Sequence, residues 1–157
     1  IDENEDFTYY WSDDEEEEKT SFFGFMEYLL NHIKLYPDAK FYHYFSYEIT
    51  SLRKSAQTFG AYKEEIERLI EKECFVDLFK IINSSLLIGA SSYSLKTVEK
   101  LAGIIRTESL QSGKESIQYF EDYFYNEEYE LKDLIIEYNK ADCKNLFLLH
   151  NWLAKLL

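Results

Sequence analysis

The sequence predicts an α/β layered domain, and three observations predict it. Apolar residues recur at helical spacing over several segments. Short aromatic runs with β-favouring composition fall between them. No internal repeat or linker interrupts the alternation.

The elements follow in order. The stretch F-T-Y-Y-W (7–11), bounded by S-D-D, reads as a strand. From Glu16 to Lys34, apolar side chains at Phe22, Phe23, Met26, Leu29, Leu30 and Ile33 mark one face of a helix that must stop before Pro37. A-K-F-Y-H-Y (39–44) reads as a buried strand, and S-Y-E-I-T-S-L-R-K-S-A (46–56) as a helix with Ser46 at its N-cap, which puts Glu48 in the first turn. Residues 61–73 form a second short helix, and F-V-D-L-F-K-I-I (75–82) reads as a short helical or extended turn. S-L-K-T-V-E-K-L-A-G (94–103) is a helix closed by a glycine, where a left-handed residue is needed, and 115–124 and 129–156 read as helices.

At 157 residues the chain fits a single domain, and 46% hydrophobic with 18% aromatic residues makes it globular rather than disordered. The net charge of −13 argues against broad affinity for a phosphate backbone, which is driven by Lys and Arg. Much of the acid lies in D-E-N-E-D (2–6) and D-D-E-E-E-E (13–18), so that 1–6 reads as an acidic tail and 13–18 as turn and first-turn helix charge. Cys74 and Cys143 lie far apart without a C-x-x-C, which suits a reducing compartment and gives no zinc pattern. No apolar stretch is long enough to span a membrane and the N-terminus lacks a signal-peptide layout, so a cytoplasmic location is expected. The chain opens on I-D-E-N without Met, as a piece of a longer polypeptide would.

Several residues could carry chemistry. In E-Y-N-K-A-D-C (137–143), Tyr138 and Asp142 stand four positions apart and share a helix face. The bland alternative is a core-edge tyrosine beside a solvated acid. Glu48 ends the aromatic run F-Y-H-Y-F-S-Y, where an ionised carboxylate needs a cation or hydrogen bonds. Asp77 could be a structural cap or an acid of a site. His43 reads as a satisfied core or sheet histidine, and His32 and His150 as helix-surface or packing residues. Lys96, Lys100 and Arg106, with Lys114 close behind, form the best basic patch for phosphate contact, although Glu99 between the lysines equally suits a solvated face. The aromatics at 120–129 could stack bases, but core packing explains them more simply.

Taken in order, Y-H-Y-F-S-Y-E-I-T-S-L (42–52), F-V-D-L (75–78), S-Y-S-L-K-T-V-E-K-L-A-G-I-I-R (92–106), E-Y-N-K-A-D-C (137–143) and N-W-L (151–153) resemble the RNase H-like exonuclease domain of the DEDD superfamily, in the branch often joined to a RecB-type nuclease. The resemblance implies an RNase H-like fold, a mixed central sheet flanked by helices. It also implies metal-dependent 3′–5′ hydrolysis of DNA or RNA, acting on single-stranded ends, with two Mg²⁺ or Mn²⁺ ions held by four acids. Carried over, Asp142 is the third-motif acid and Tyr138 its water-orienting tyrosine, while Glu48 stands where most relatives have Asp. Asp77 is a possible further acid.

The first motif, an Asp-x-Glu on the opening strand, has no convincing match. The expectation is that the opening strand or strands lie upstream of Ile1, that the two-metal site is completed there, and that this chain alone binds metal poorly. Two other readings stay open. One is a catalytically inactive RNase H-like binding or scaffold module. The other is an unrelated acidic helical protein-interaction domain.

Overall fold

The computed structural model describes residues 1–2, 5–106 and 113–156. In chain order the elements are α1 (Glu15–Leu35), β1 (Phe41–His43), α2 (Tyr47–Phe59), α3 (Lys63–Glu71), β2 (Phe75–Asp77), α4 (Leu78–Ser85), α5 (Leu95–Leu101), α6 (Gly113–Asn126) and α7 (Leu131–Leu156). The architecture is mainly helical with a small two-stranded parallel sheet, consistent with the α/β class. The residues divide into two compact units, one formed by 10–97 and the other by 1–9 with 98–157.

In the 10–97 unit, the acidic run places Asp14 at the N-cap of α1, where its carboxylate accepts the Glu17 amide, with Glu15 to Glu18 in the first turn at the positive end of the helix dipole. Phe22, Met26 and Leu29 point from α1 into a core shared with Ala56 of α2 and Ile66 of α3. β1 and β2 pair in parallel, with Phe41 opposite Phe75 and His43 opposite Asp77, and α2 and α3 supply the crossover that a parallel pair requires. Leu78 and Ile82 of α4 are fully covered.

The expected strand at 7–11 is not formed. A strand needs a ladder partner, and among the described residues only β1 and β2 pair. The aromatics pack individually instead. The Tyr10 ring meets Phe25 edge-on and its hydroxyl donates to the Gly24 carbonyl, while the Trp11 carbonyl accepts the Ser21 hydroxyl. The ambiguous run 75–82 divides between β2 and α4. Its break falls at Asp77, whose carboxylate caps the helix and so ends the strand. Ser46 stands at the N-cap of α2 as expected, but only its carbonyl serves there, receiving the Thr50 amide and hydroxyl.

In the other unit α6 packs along α7, and Tyr123, Tyr138, Leu149 and Leu153 are buried. α5 ends in a left-handed Gly103 (φ 75°), with the Ile104 amide donating to the Glu99 carbonyl and the Gly103 amide to that of Lys100. This closure satisfies the last carbonyls of the helix and turns the chain back along it. Among the described residues, no helix is long and apolar enough to cross a membrane.

Candidate functional site

Tyr138 and Asp142 lie one turn apart on α7. The tyrosine is buried, on the same face of the helix as the Asp142 carboxylate. Burial, followed by the Asp142 charge, pushes the phenol above its ordinary range, so it stays a donor at neutral pH.

Arg106 meets the same carboxylate. Its Nη2 donates to Asp142 Oδ1 at 2.6 Å, and its Nε and Nη2 clasp the two oxygens of Glu99 at 2.7 and 2.6 Å. The guanidinium carbon lies 5.8 Å from the centroid of the Tyr138 ring. Burial works against the Arg106 charge, but hydrogen bonds and charge from Glu99 and Asp142 raise its pKa further. The Gly103 turn makes this possible, because it folds residues 104–106 back toward the helix that carries Glu99.

Glu99 is the residue that sequence reasoning missed. It is not on a solvated face between two lysines but is 1% exposed. The signal was present: Leu95, Val98, Glu99 and Ala102 follow i, i+3, i+4, i+7, which puts the acid inside the apolar stripe. An acid there must have a partner.

The basic patch is correspondingly smaller than expected. Arg106 is spent on carboxylates with its side chain 10% exposed, and Lys96 has its ammonium nitrogen buried, while Lys100 and Lys114 are exposed. At 120–129, Tyr123 is buried, whereas Phe120, Phe124, Tyr125 and Tyr129 are exposed.

Glu48 and Asp77 belong to the 10–97 unit. Glu48 is exposed in the first turn of α2, with Oε2 at 3.6 Å from His43 Nδ1. The link from β1 to α2 is only three residues long and turns through a left-handed Phe45 (φ 76°), a conformation that costs a non-glycine residue of order 1–2 kcal/mol. Both backbone groups of Phe45 are held by buried side chains. Its amide donates to Asp77 Oδ1 at 3.0 Å, and its carbonyl contacts His43 Nδ1 at 2.6 Å. Asp77 also accepts the Phe79 and Lys80 amides, so here it acts as a cap and turn clamp. His43 titrates above an ordinary histidine. Burial opposes its charge, but the Glu48 carboxylate, the Phe45 carbonyl and the charge of Asp77 outweigh that.

Compared with known protein families, residues 1–154 match the family profile RNase_H_2 of the RNase H superfamily. The chain belongs to the RNase H superfamily. No curated protein and no solved structure matches it. At the level of the superfamily the function is nuclease-like or nucleic-acid-related, and the reading as an unrelated interaction domain falls away. RNase H-like nucleases generally use Mg²⁺ or Mn²⁺. Asp142 and Glu48 carry hard carboxylate oxygens that suit such cations. The described acids do not make a whole site, however. No group of three His, Cys, Asp or Glu among the described residues is arranged to hold a metal ion.

Proposed function

We propose that this RNase H superfamily chain is a DEDD-type exonuclease domain, of the kind joined to RecB-type nucleases, that hydrolyses DNA or RNA from 3′ ends. On this reading Asp142 and Glu48 are metal ligands and Tyr138 orients the attacking water. The observation that carries it is the Tyr138–Asp142 pair, a buried phenol and an acid one helical turn apart on α7. When bound, two divalent ions stabilise charge on the attacking and leaving oxygens and lower the pKa of water.

The chain's own residues have simpler tasks. Asp142 keeps a hard anionic oxygen at a fixed place on a rigid helix, and Tyr138, held protonated by burial and by the Asp142 charge, offers an O–H for orientation rather than a base. Asp77 has a supporting part, clamping the Phe45 turn from which α2 and Glu48 start.

The test is Mn²⁺-dependent degradation of a 3′-labelled single strand by the full-length protein, by Asp142→Ala and by Tyr138→Phe. Loss in the first variant and a slower rate in the second are expected. Equal activity of wild type and Asp142→Ala sinks the assigned site.

A second reading, an inactive RNase H-like binding module, is favoured by one observation: the Asp142 carboxylate already has a cation in Arg106. It predicts oligonucleotide binding by the full-length protein without turnover in either Mg²⁺ or Mn²⁺.

A further inference from the structure

We propose that Phe45 and Tyr47, the two rings where the chain leaves β1 and enters α2, form a stacking platform for the unpaired bases of a single-stranded nucleic acid. The proposal rests on the nucleic-acid reading of the chain, and it holds whether the chain cleaves the strand or only binds it.

Large apolar rings ordinarily go inside a fold. Here Phe45 is 52% and Tyr47 77% exposed, on either side of Ser46, and Glu48 follows directly in the first turn of α2. Phe45 also has a backbone that does not suit its side chain. Its φ of 76° favours glycine or asparagine, and a phenylalanine stays there only where its surroundings hold it. Two buried side chains do so: Asp77 Oδ1 accepts the Phe45 amide at 3.0 Å, and His43 Nδ1 meets the Phe45 carbonyl at 2.6 Å. The ring is steadied by Phe79, edge to face with 4.6 Å between centroids. Packing does not explain the choice of residue, since Phe45 keeps half its surface in water. A glycine or asparagine would make the turn with less strain, and what they lack is the ring.

An exposed aromatic face that is already immobilised is what base stacking requires. Every base has a π-face, so the contact tolerates any sequence, and little side-chain freedom is lost on binding. Stacking also suits the charge of this chain. A net charge of −13 is unfavourable to a phosphate backbone, so a grip on bases succeeds with fewer cations than a grip on phosphates. Lys54 stands exposed two turns beyond Tyr47 on the same face of α2, and Lys80 is exposed next in sequence to Phe79, so a strand on the rings has cations for its phosphates. The rings stand among exposed polar residues, Ser46, Glu48 and Thr50, rather than in a wide apolar face, which favours bases over a protein surface.

The experiment is fluorescence anisotropy of labelled single strands of DNA and of RNA, and of a blunt duplex, titrated with full-length protein in EDTA and again in Ca²⁺. It is run on wild type, Phe45→Asn, Phe45→Tyr and Tyr47→Ala, each checked for cooperative melting. Phe45→Asn relieves the backbone while removing the ring, and it is expected to bind single strands about 5–100-fold more weakly, with Tyr47→Ala in the same range. Phe45→Tyr keeps a ring and binds close to wild type. Each loss keeps its size from low to physiological salt, because an uncharged ring releases no counterions. The duplex, whose base faces are already stacked on one another, binds more weakly than either single strand.

A Phe45→Asn protein that melts cooperatively and binds single strands like wild type overturns the platform. Where Phe45→Asn does not fold, unchanged binding by Tyr47→Ala does so instead. A wild type that sediments as a dimer while Phe45→Asn sediments as a monomer shows that the rings join two copies of the chain, and stacking on bases is overturned. The two levels separate. Wild type that binds no single strand in either condition removes the nucleic-acid reading and the platform together, whereas binding that both ring variants retain removes the platform alone.

Discussion

Two arginines in this chain make the same two-pronged bond to a glutamate, and almost everything else about them differs. Arg53 and Glu67 join α2 to α3 with both contacts at 2.6 Å, their side chains 52% and 40% exposed. Arg106 and Glu99 meet at 2.7 and 2.6 Å with side chains 10% and 2% exposed. Bond length therefore does not distinguish them; water does. On the surface each ion retains solvent as an alternative partner, whereas in the interior each depends on groups of the protein, Glu99 on Arg106 and Arg106 on Glu99 and Asp142. The lesson is that an ion pair matters for what its loss would leave behind.

The largest expected effect follows from that difference. Arg106→Ala strands the Glu99 carboxylate in an apolar stripe and releases Asp142, and should cost roughly 3–5 kcal/mol in urea or thermal unfolding. A loss below about 1 kcal/mol, the range of surface pairs, would mean that Glu99 finds water or another donor and that the burial contrast has no energetic meaning.

Next comes a buried acid without an arginine. Asp77 caps α4 and holds the Phe45 amide, so Asp77→Ala removes a cap worth about 1 kcal/mol and leaves a turn amide unsatisfied at a similar cost, for a total near 2 kcal/mol. Asp77→Asn keeps an acceptor oxygen and should recover part of this in the same measurement. If both variants melt like wild type, the left-handed Phe45 is held by packing against Phe79 rather than by its backbone bonds.

How far these features could be read beforehand depends on whether they are local. The helices were legible because their apolar stripes and ends are written in neighbouring residues: Met26 with Leu29 on α1, Pro37 beyond its end, Gly103 after α5. Tyr138 and Asp142 were legible as a pair because four residues of helix fix their proximity. The strand at 7–11 was misread because β-propensity describes a surface that fits a pleat and supplies no partner for it. Glu99 was misread because charge was weighed before position in the stripe. Its bond to Arg106 depends on a chain reversal at Gly103, so neither residue announces the other.

A weaker coupling sits at the Glu48 turn. His43 is raised above its ordinary value, with burial opposing and the Glu48 and Phe45 contacts prevailing, so the folded state binds its proton more tightly than the unfolded chain does. The stabilisation is therefore complete below the pH where an unfolded histidine titrates, and it is lost as pH rises through the higher folded value. Glu48→Gln should lower the His43 titration followed by NMR and flatten stability between those two pH values. An unchanged His43 titration would show that the 3.6 Å contact carries no coupling.

The smallest expected effect is the sharpest check on the opening contrast. Arg53→Ala deletes a bond as short as any that Arg106 makes to Glu99, yet both of its ions stay in water when parted. No resolvable change in melting temperature is expected, and none should develop in high salt, where screening acts over about 3 Å at 1 M and would already have weakened the wild-type pair. Arg106→Ala should retain its full penalty in the same salt, because the charges it separates are shielded by protein rather than by ions. If the two variants responded alike, in size or in salt dependence, the Arg106 cluster would be open to solvent. It could not then hold the Asp142 carboxylate in one orientation.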